Sequence, residues 1–481
     1  MDKPSFRVII VGGSIAGLTL AHCLRQANID HVVLEKGEDV APQLGASVGI
    51  FPNGGRILQQ LGLFDEVEAL VDPIRVSNTT FPDGFMCRSL VSERLEERFG
   101  FPVAFLDRQK LLDILYRNYP DKTNIITGTK VTEVRKVDNG VCVSTDDGTL
   151  YHGDLVVGAD GVHSRIRSEM WRLAGAARKS VAKEKENMTV EYSCIFGISS
   201  VETGLETGAM LQALRDGLTV LTIRGKDNRI FWFIIQKLGQ KYVYPDCPRF
   251  SLDDAAEACA QIADVQLYKD LHVRDLWKTR LVASMTALEE FLLQTWHYDR
   301  IVLLGDSVHK VLFPIDLSAA SPVYANTVQM APNFGQGANC AIEDAAILAS
   351  LLHELVNVNS TSQPTDQQID NVLTEYRKQR HERASNICNT SAMTTRVQAR
   401  DGLFKKFLGR YYVPRADKLG AYVMSKFFAD APALGFLPLP ERSGSGWTTY
   451  RTEKRWIAWA SGLAKSAFAG LLGCNDHVES L

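Results

Sequence analysis

A glycine cluster near the start of the chain has the residue types and spacing that bind a dinucleotide. The run Gly12-Gly13-Ser14-Ile15-Ala16-Gly17 follows an apolar stretch and opens a helical pattern, and Glu35 ends the next apolar stretch. Gly12 allows a sharp turn, Gly17 lets a helix pack closely on a strand, and free amides at the helix start attract a pyrophosphate. Glu35 lies where a carboxylate accepts a hydrogen bond from a ribose hydroxyl. Ser14 replaces the usual middle glycine, but its small side chain still lets a phosphate approach the backbone.

Three more charged residues stand at the ends of predicted strands, which is where α/β proteins place ligand-binding side chains. They are Arg108 after residues 101–107, Asp160 after residues 155–159 and Asp306 after residues 298–305. A guanidinium at position 108 could neutralise a phosphate or hold ribitol hydroxyls. The alternative is an ordinary ion pair with Asp107 or Asp113, and the sequence leaves both interpretations open.

Two glycine-rich segments indicate close approach of the backbone to a flat or phosphorylated ligand. The first, residues 45–62, includes Gly49 and passes into a helix. The second, residues 331–346, is a glycine turn that opens a long helix. The free amides at the start of that helix form a second site for an anion or a carbonyl. A plain loop with a helix cap is the alternative for the first segment.

Composition excludes several classes of function. The chain has 481 residues, 45% of them hydrophobic, and a net charge of -3, which argues against nucleic acid as a partner. Its nine cysteines include no C-x-x-C pair, so neither a disulfide framework nor a metal site is expected. The first predicted strand begins within six residues of Met1, so no signal peptide is expected. No stretch of eighteen residues is wholly apolar, so no membrane-spanning helix is expected either.

The elements that must position these residues are of two kinds. The strands that precede the glycine and acid motifs are apolar throughout, which is typical of a buried parallel sheet with helices on its faces. Residues 187–244 instead contain several strands at hairpin spacing, joined by turns such as Asp216-Gly217, and these predict an antiparallel sheet. Most side chains of its apolar strand 231–235 are expected in the core, and the remainder would line a pocket for an apolar substrate.

In this order, the dinucleotide turn, Asp160-Gly161 and Gly305-Asp306 resemble the three motifs of flavoprotein monooxygenases of the aromatic hydroxylase type. The wording of the glycine segments is closer still to the fungal paxM-type FAD-dependent monooxygenases. The resemblance implies FAD as the cofactor and assigns no catalytic side chain. It implies that Glu35 binds the adenosine ribose, Gly49 and Arg108 contact FAD, Asp160 reaches toward the pyrophosphate and the nicotinamide, Asp306 holds the ribitol, and Gly335, Gly337 and Ala338 present amides to the flavin pyrimidine.

The resemblance also implies a fold and its division. The fold class is α/β, with a Rossmann-like, three-layer FAD-binding domain, an inserted antiparallel-sheet substrate domain and a helical C-terminal region. The expected parts are residues 1–180 and 290–356 for the FAD-binding domain, 187–285 for the substrate-side sheet, 366–446 for the helical region, and 447–481 for a tail helix.

The activity implied is oxygen transfer with NADPH as a transient co-substrate. Reduced FAD and O2 would give a flavin C4a-hydroperoxide, which delivers one oxygen atom to a prenyl double bond in fungal meroterpenoid-type biosynthesis. The substrate would be small, apolar and prenylated. Two alternatives stay open: oxidation of an indole or aromatic ring by the same chemistry, and a non-catalytic flavin-fold protein that binds prenyl groups.

Residues 311–329 interrupt the pattern of the resembling family, in which the Gly-Asp motif runs directly into the glycine turn. Without them, Lys310 would join Met330 in register. Valine codons begin with GT and a glutamine codon can be CAG, so the segment from Val311 to Gln329 has ends compatible with an intron. We interpret it either as a retained intron translated in frame or as a true loop insertion.

The C-terminal tail has an amphipathic pattern. Trp456, Trp459 and Leu463 fall near one helical face, and Lys465 in the middle argues against a spanning helix. A helix in the membrane interface and a helix docked on the body are both compatible with it. The expected location is therefore the cytoplasmic side of an intracellular membrane, or the cytosol.

Overall fold

The computed structural model describes residues 6–43, 47–175, 184–201, 204–310, 335–358, 363–412, 417–442 and 444–449. The segment 311–329 and residues 450–481 of the predicted tail lie outside these ranges. The interpretations given above for those two segments therefore stay hypotheses.

The strands of the described residues fall into parallel and antiparallel groups. In chain order they are β1 (Arg7–Val11), β2 (Asp30–Leu34), β3 (Ser47–Ile50), β4 (Val76–Thr80), β5 (Met86–Ser89), β6 (Ala104–Asp107), β7 (Ile125–Ile126), β8 (Val131–Val137), β9 (Gly140–Thr145), β10 (Leu150–Gly153), β11 (Leu155–Gly158), β12 (Thr189–Ser199), β13 (Ala209–Arg215), β14 (Leu218–Arg224), β15 (Ile230–Val243), β16 (Gln266–Tyr268), β17 (Leu271–His272), β18 (Arg280–Leu292), β19 (His297–Tyr298), β20 (Ile301–Leu303) and β21 (His309–Lys310).

The helices of the described residues separate these strands or follow them. In chain order they are α1 (Ile15–Gln26), α2 (Pro52–Gln60), α3 (Phe64–Ala69), α4 (Val91–Phe99), α5 (Arg108–Arg117), α6 (Arg165–Ala174), α7 (Leu252–Gln261), α8 (Val273–Lys278), α9 (Gly337–His353), α10 (Asp366–Gln398), α11 (Leu403–Phe407), α12 (Asp417–Ala429) and α13 (Gly446–Thr449). None of them is long and apolar enough to cross a membrane.

A mostly parallel sheet carries the dinucleotide motif. Its strand order is β19-β20-β11-β1-β2-β7, and β1 pairs in parallel with both β2 and β11. Its central strands β1, β2 and β11 are rich in Val, Ile and Leu, as is typical of a parallel sheet that is covered on both faces. α1 packs against α9, and the small antiparallel sheet of β8, β9 and β10 lies beside α6. The carboxyl ends of β1, β2, β11 and β20 all carry predicted site residues.

The second sheet is antiparallel in most of its pairs and has the order β21-β18-β12-β15-β14-β13-β4-β5. It draws strands from outside residues 187–285, because β4 and β5 extend one edge and β21 the other. One face packs Trp232, Ile195 and Leu211 against α7 and α8. The opposite face packs toward Phe51, Phe105 and helix α12. The α/β fold with two sheets and a helical C-terminal region is therefore confirmed.

The long helix α10 connects the two sheets. A capping box of Thr365 and Gln368 starts it, since each side chain accepts a hydrogen bond from the other residue's backbone amide. Near its beginning, the Tyr376 hydroxyl donates to the carbonyl of Leu303 at the parallel sheet. At its end, Gln398 Nε2 donates to Gln212 Oε1 of β13 at 3.2 Å.

Candidate functional site

The turn between β1 and α1 can be built only from glycine at two positions. Gly12 has φ +108°, and a Cβ there would lie 2.4 Å from the carbonyl oxygen of Ala159. A Cβ at Gly17 would lie 1.9 Å from the carbonyl oxygen of Gly12. The strand, the turn and the first helical turn therefore lie in direct contact, as a dinucleotide-binding turn requires.

Glu35 lies beside this turn, at the carboxyl end of β2. Its Oε2 accepts a hydrogen bond from the amide of Gly13 at 2.6 Å, and its Oε1 accepts from the amide of Gly37 at 2.8 Å. The two bonds fix the carboxylate next to the turn, in the position predicted for a ribose contact.

Arg108 reaches the same turn from the start of α5. Its Nη2 donates to Ser14 Oγ at 2.6 Å. Burial lowers the pKa of Arg108, while the nearby Asp306 and Glu35 raise it. Asp107 pairs with Arg229 at 2.9 Å, and Asp113 pairs with Arg117. The structure thus favours the anion-binding interpretation of Arg108 over an ordinary pair with Asp107 or Asp113.

The Asp160 carboxylate accepts hydrogen bonds mainly from residues at the start of α6. Its Oδ1 accepts from Ser164 Oγ at 2.5 Å, and its Oδ2 accepts from the amides of Arg165 and Ile166 at 2.6 and 3.1 Å. Burial raises the pKa of Asp160, and these hydrogen bonds lower it. The carboxylate therefore caps α6, and its contact with the pyrophosphate or the nicotinamide stays a prediction.

Asp306 has an exposed side chain at the end of β20. The backbone around it is fixed, because the amide of Gly305 donates to Asp344 Oδ2 at 2.8 Å. Gly305 has φ +63°, and a Cβ there would lie 3.2 and 3.3 Å from the Cβ atoms of Ala341 and Ala16. Asp306 thus lies between α1 and α9, within electrostatic reach of Arg108.

Asn339 joins the two glycine segments, and sequence reasoning missed it. Its Nδ2 donates to the carbonyl oxygens of Gly49 at 2.9 Å and Gly335 at 3.1 Å, and its Oδ1 accepts from the amide of Phe51 at 3.1 Å. A Cβ at Gly49 would lie 2.9 Å from both the Phe51 and the Phe105 rings. The sequence feature that could have indicated it is an asparagine in the first turn of a predicted helix, where backbone groups need hydrogen-bond partners.

The start of α9 leaves space for a ligand. A Cβ at Gly337 would meet no atom within 4 Å, and Ala338 follows in the same first turn. Within the residues that the structure describes, neither Nε2 of the fully buried Gln336 nor Ser47 Oγ of β3 has a hydrogen-bond partner. Open space, free helix amides and unpaired polar atoms at one place are what a polar, ring-shaped cofactor edge would satisfy.

A buried network of charged side chains holds the backbone around Asp306 and the start of α9 in place. Arg380 of α10 donates from Nη1 to Glu343 at 2.5 Å and from Nε to Asp344 at 2.7 Å. His309 Nε2 lies 2.8 Å from Asp344 Oδ2, and Asn53 Nδ2 donates to Glu343 Oε1 at 2.7 Å. Burial acts to raise the pKa values of Glu343 and Asp344, but the neighbouring cations outweigh it and lower both. The two carboxylates therefore stay ionised and hold the backbone that carries Asp306 and the start of α9.

A row of side chains crosses the inner face of the second sheet. On five adjacent strands, directly opposite one another, stand Gln212, Leu221, Phe233, Phe196 and Ser284. We call these five residues the transverse row. Phe233 and Phe196 remain partly exposed, and both pack against a buried apolar cluster that includes Leu221 and Ile235. Phe233 makes an edge contact with Phe105, with ring centroids 6.2 Å apart.

The transverse row thereby meets the candidate cofactor site. A Cβ at Gly335 would lie 3.6 Å from the Phe105 ring that also contacts Phe233. Phe428 of α12 stacks on Phe51 and closes another side of the same apolar cluster. The structure therefore brings Gly49, Gly335, Phe105 and Phe233 together, whereas Glu35 and Arg108 lie at the dinucleotide turn.

Comparison with known proteins gives a consistent result. Residues 5–315 match the family model described as FAD binding domain. The chain is 51% identical over 450 residues to the FAD-dependent monooxygenase nvfK of Aspergillus novofumigatus, covering 93% of this chain and 92% of the relative. It is 49% identical over 457 residues to the FAD-dependent monooxygenase paxM of Penicillium paxilli, covering 95% and 92%.

Solved structures share the fold at lower identity. Klebsiella pneumoniae HpxO complexed with FAD and uric acid superposes with a TM-score of 0.65 at 19% identity, covering 89% of this chain and 97% of that chain. A salicylate hydroxylase substrate complex superposes with a TM-score of 0.62 at 20% identity, covering 90% and 99%.

Proposed function

The chain belongs to the FAD-dependent monooxygenases of the FAD binding domain family, and from this premise we propose that it uses NADPH and O2 to epoxidise a prenyl double bond. The proposed substrate is a small, prenylated meroterpenoid-type molecule of fungal secondary metabolism. FAD-dependent monooxygenase activity follows from the family, whereas the nicotinamide donor, the prenyl substrate and epoxidation are proposals.

The chain's own residues fit FAD at both ends. Arg108 and the amides of the first turn of α1, from Ile15 to Gly17, suit the pyrophosphate, because both offer positive charge to an anion. Glu35 suits the adenosine ribose and Asp306 the ribitol. The amides of Gly337 and Ala338 suit the carbonyl edge of the flavin, since the helix start there is open. When bound and reduced, FAD supplies the activation of O2.

The observation that carries the substrate proposal is the aromatic pair in the transverse row. Phe196 and Phe233 stand directly opposite each other, and both are only partly buried. Phe105 bridges Phe233 to the loops of Gly49 and Gly335. Ring faces of this kind bind an extended hydrocarbon through apolar contact, and they would hold its double bond without a directional polar group.

The apolar side chains around Phe196 and Phe233 would also exclude water from the site. Leu221 and Ile235 pack beside the aromatic pair on the inner face of the sheet. Phe428 and Met424 of α12 pack with Phe105 on the side of the FAD loops. A dry site limits loss of the activated oxygen to water, so we infer that orientation and desolvation are this chain's contributions to the reaction.

Product analysis with labelled O2 tests the proposal. We expect the FAD-loaded enzyme to oxidise NADPH in the presence of a farnesylated phenol and to place one labelled oxygen atom on a prenyl double bond. Farnesol and an unprenylated indole serve as matched substrates that separate the chain from the ring. Label found on the indole or phenol ring would replace epoxidation by ring oxidation, and prenyl binding without NADPH consumption would indicate a non-catalytic binder.

A further inference from the structure

An exposed apolar surface lies on one short segment at the end of the second sheet. Leu403, Phe404, Phe407 and Tyr411 are 85%, 60%, 61% and 50% exposed. We call these four side chains the apolar patch. Single exposed apolar residues are normal on a protein surface, but four within nine residues mark an interaction site.

The segment that carries the apolar patch is fixed to the body. Arg410 donates from Nε to Asp83 Oδ2 at 2.8 Å, and its guanidinium lies 3.7 Å from the centroid of the Phe85 ring. Lys406 Nζ donates to Asp216 Oδ2 at 2.6 Å. These contacts fasten the segment to the turn between β4 and β5 and to the turn between β13 and β14, so the four apolar side chains project from a supported backbone.

The charge of the segment favours an anionic surface. Residues 400–412 contain Arg400, Lys405, Lys406 and Arg410 but only one acid, Asp401, in a chain whose net charge is -3. Basic residues interleaved with Leu, Phe and Tyr are typical of segments that lie in the interface of a lipid bilayer. Asp216 pairs with both Arg400 and Lys406, and Asp83 pairs with Arg410. Because three of the four basic side chains are paired in this way, we expect apolar contact to dominate the binding.

The apolar patch also lies close to one end of the transverse row. It follows directly on the end of α10, where Gln398 Nε2 donates to Gln212 Oε1. Gln212 is the end residue of the transverse row, and the amide of Gly217 in the adjoining turn donates to the carbonyl of Ala399 at 2.8 Å. A bilayer in contact with the apolar patch would therefore face the β13 end of the transverse row, whose surface we call the candidate substrate cleft.

We propose that the apolar patch docks the protein on the surface of an anionic lipid bilayer, with its four side chains in the interface and no segment of the patch spanning it. This inference deepens the proposed function, because a prenylated substrate partitions into bilayers and would enter the cleft from there. Docking itself needs no catalysis, so the two proposals can fail separately.

The test is sedimentation of the FAD-loaded full chain with vesicles of phosphatidylcholine, with and without phosphatidylserine. We expect the wild-type chain to bind, more strongly with phosphatidylserine, and the Phe404→Ser/Phe407→Ser variant to lose about tenfold or more in vesicle partitioning. The Leu150→Ser/Leu281→Ser variant, which changes two exposed leucines elsewhere, should bind as the wild type does. Flavin absorbance and Tm report whether each variant is folded, and Leu403→Ser replaces the double variant if that variant is unfolded.

Three results would overturn the proposal. The wild-type chain could remain in the supernatant with every vesicle. The patch variants could bind as tightly as the wild type, which would assign membrane contact to another part of the chain. Sedimentation velocity could show a wild-type dimer that the patch variants dissociate, without any binding to vesicles, and the apolar patch would then be a contact between copies.

Discussion

Arg108 is the residue whose substitution best separates cofactor binding from folding. We expect Arg108→Met to weaken FAD binding about 10- to 100-fold, since a charge-assisted contact contributes about 1.5–3 kcal/mol. The methionine keeps much of the apolar stem, so the Tm of the FAD-free protein should change little. Quenching of flavin fluorescence during titration measures the affinity. Arg117→Met, on the exposed side of the same helix, is the matched control. Equal FAD affinity of both variants would remove Arg108 from the cofactor site.

Substitution by alanine should strongly destabilise the protein at Gly17 and have little effect on its stability at Gly337, although both glycines lie at helix starts. At Gly17 an added Cβ would lie 1.9 Å from a carbonyl oxygen, so Gly17→Ala should destabilise the protein by about 3 kcal/mol or more and abolish FAD binding. At Gly337 the added Cβ meets nothing within 4 Å, so Gly337→Ala should leave the free energy of unfolding of the FAD-free protein within about 0.5 kcal/mol. Urea unfolding followed by circular dichroism measures both. A Gly17→Ala variant as stable as the wild type would contradict the packing described for α1.

Phe233 should affect the substrate and leave the cofactor in place. We expect Phe233→Ala to raise the KM for a prenylated substrate about tenfold and to divert NADPH oxidation toward hydrogen peroxide, because the smaller side chain admits water. The flavin spectrum should be unchanged. Phe85→Ala removes another partly exposed ring, beside Arg410 and outside the cleft, and should leave both quantities as they are in the wild type. Oxygen and peroxide electrodes give the coupling ratio, and an unaltered ratio for Phe233→Ala would move the substrate elsewhere.

At the scale of elements, β18 and α10 meet through a buried carboxylate whose charge should depend on pH. Burial raises the pKa of Glu290 to about 7, although Arg396 at 3.2 Å acts to lower it. An unfolded glutamate has its pKa near 4.3, so the folded state holds the proton more tightly and stability falls as pH rises through the window between about 4.3 and 7. Glutamine cannot ionise, so the variant does not lose this stability. The free energy of unfolding of Glu290→Gln, relative to that of the wild type, should therefore be about 2 kcal/mol higher at pH 8 than at pH 5.

Urea unfolding at the two pH values measures this difference. Glu382→Gln, which changes an exposed residue of α10, is the control. Its free energy of unfolding should differ from that of the wild type by the same amount at both pH values. If Glu290→Gln also differs from the wild type equally at pH 5 and pH 8, the carboxylate is ionised throughout and the junction between β18 and α10 is a permanent ion pair.

The sequence predicts those elements whose signal is local. The apolar runs of β1, β11 and β20 end at glycine and acid motifs, and the structure places each motif at a strand end as expected. β4 extends the second sheet although its sequence, Val76-Ser-Asn-Thr-Thr80, is mostly polar, because its pairing with β13 is decided by the tertiary fold.

Contacts between residues that are distant in the sequence could not be predicted, for the same reason. Asn339 was hidden because two of its three partners, Gly49 and Phe51, lie nearly 300 residues away in the sequence. The pairing of Arg380 with Asp344 was hidden because ordinary helical sequence surrounds both residues. The position of Arg108 at the turn was predictable, whereas its preference for Ser14 over Asp107 depends on Arg229, which comes from the other sheet.

At the scale of the whole molecule, the segment 311–329 separates two parts of one site, Asp306 and Gly335. We expect a chain that joins Lys310 directly to Met330 to bind FAD more tightly, about fivefold, because a shorter connection costs less entropy when the site is ordered. Titration with FAD compares the two chains. The mature transcript is the independent measurement: a transcript that retains these codons at full abundance would contradict the intron interpretation and leave a true loop.

We propose that turns from distant parts of the chain together bind one molecule of FAD. The visible absorption spectrum after incubation with FAD and gel filtration tests it most directly, on the full chain and on the chain without residues 311–329. We expect a flavin band near one FAD per polypeptide in the shorter chain, and we expect Arg108→Met to lose that band. If both chains are folded and remain colourless after that treatment, the assignment of the site is contradicted.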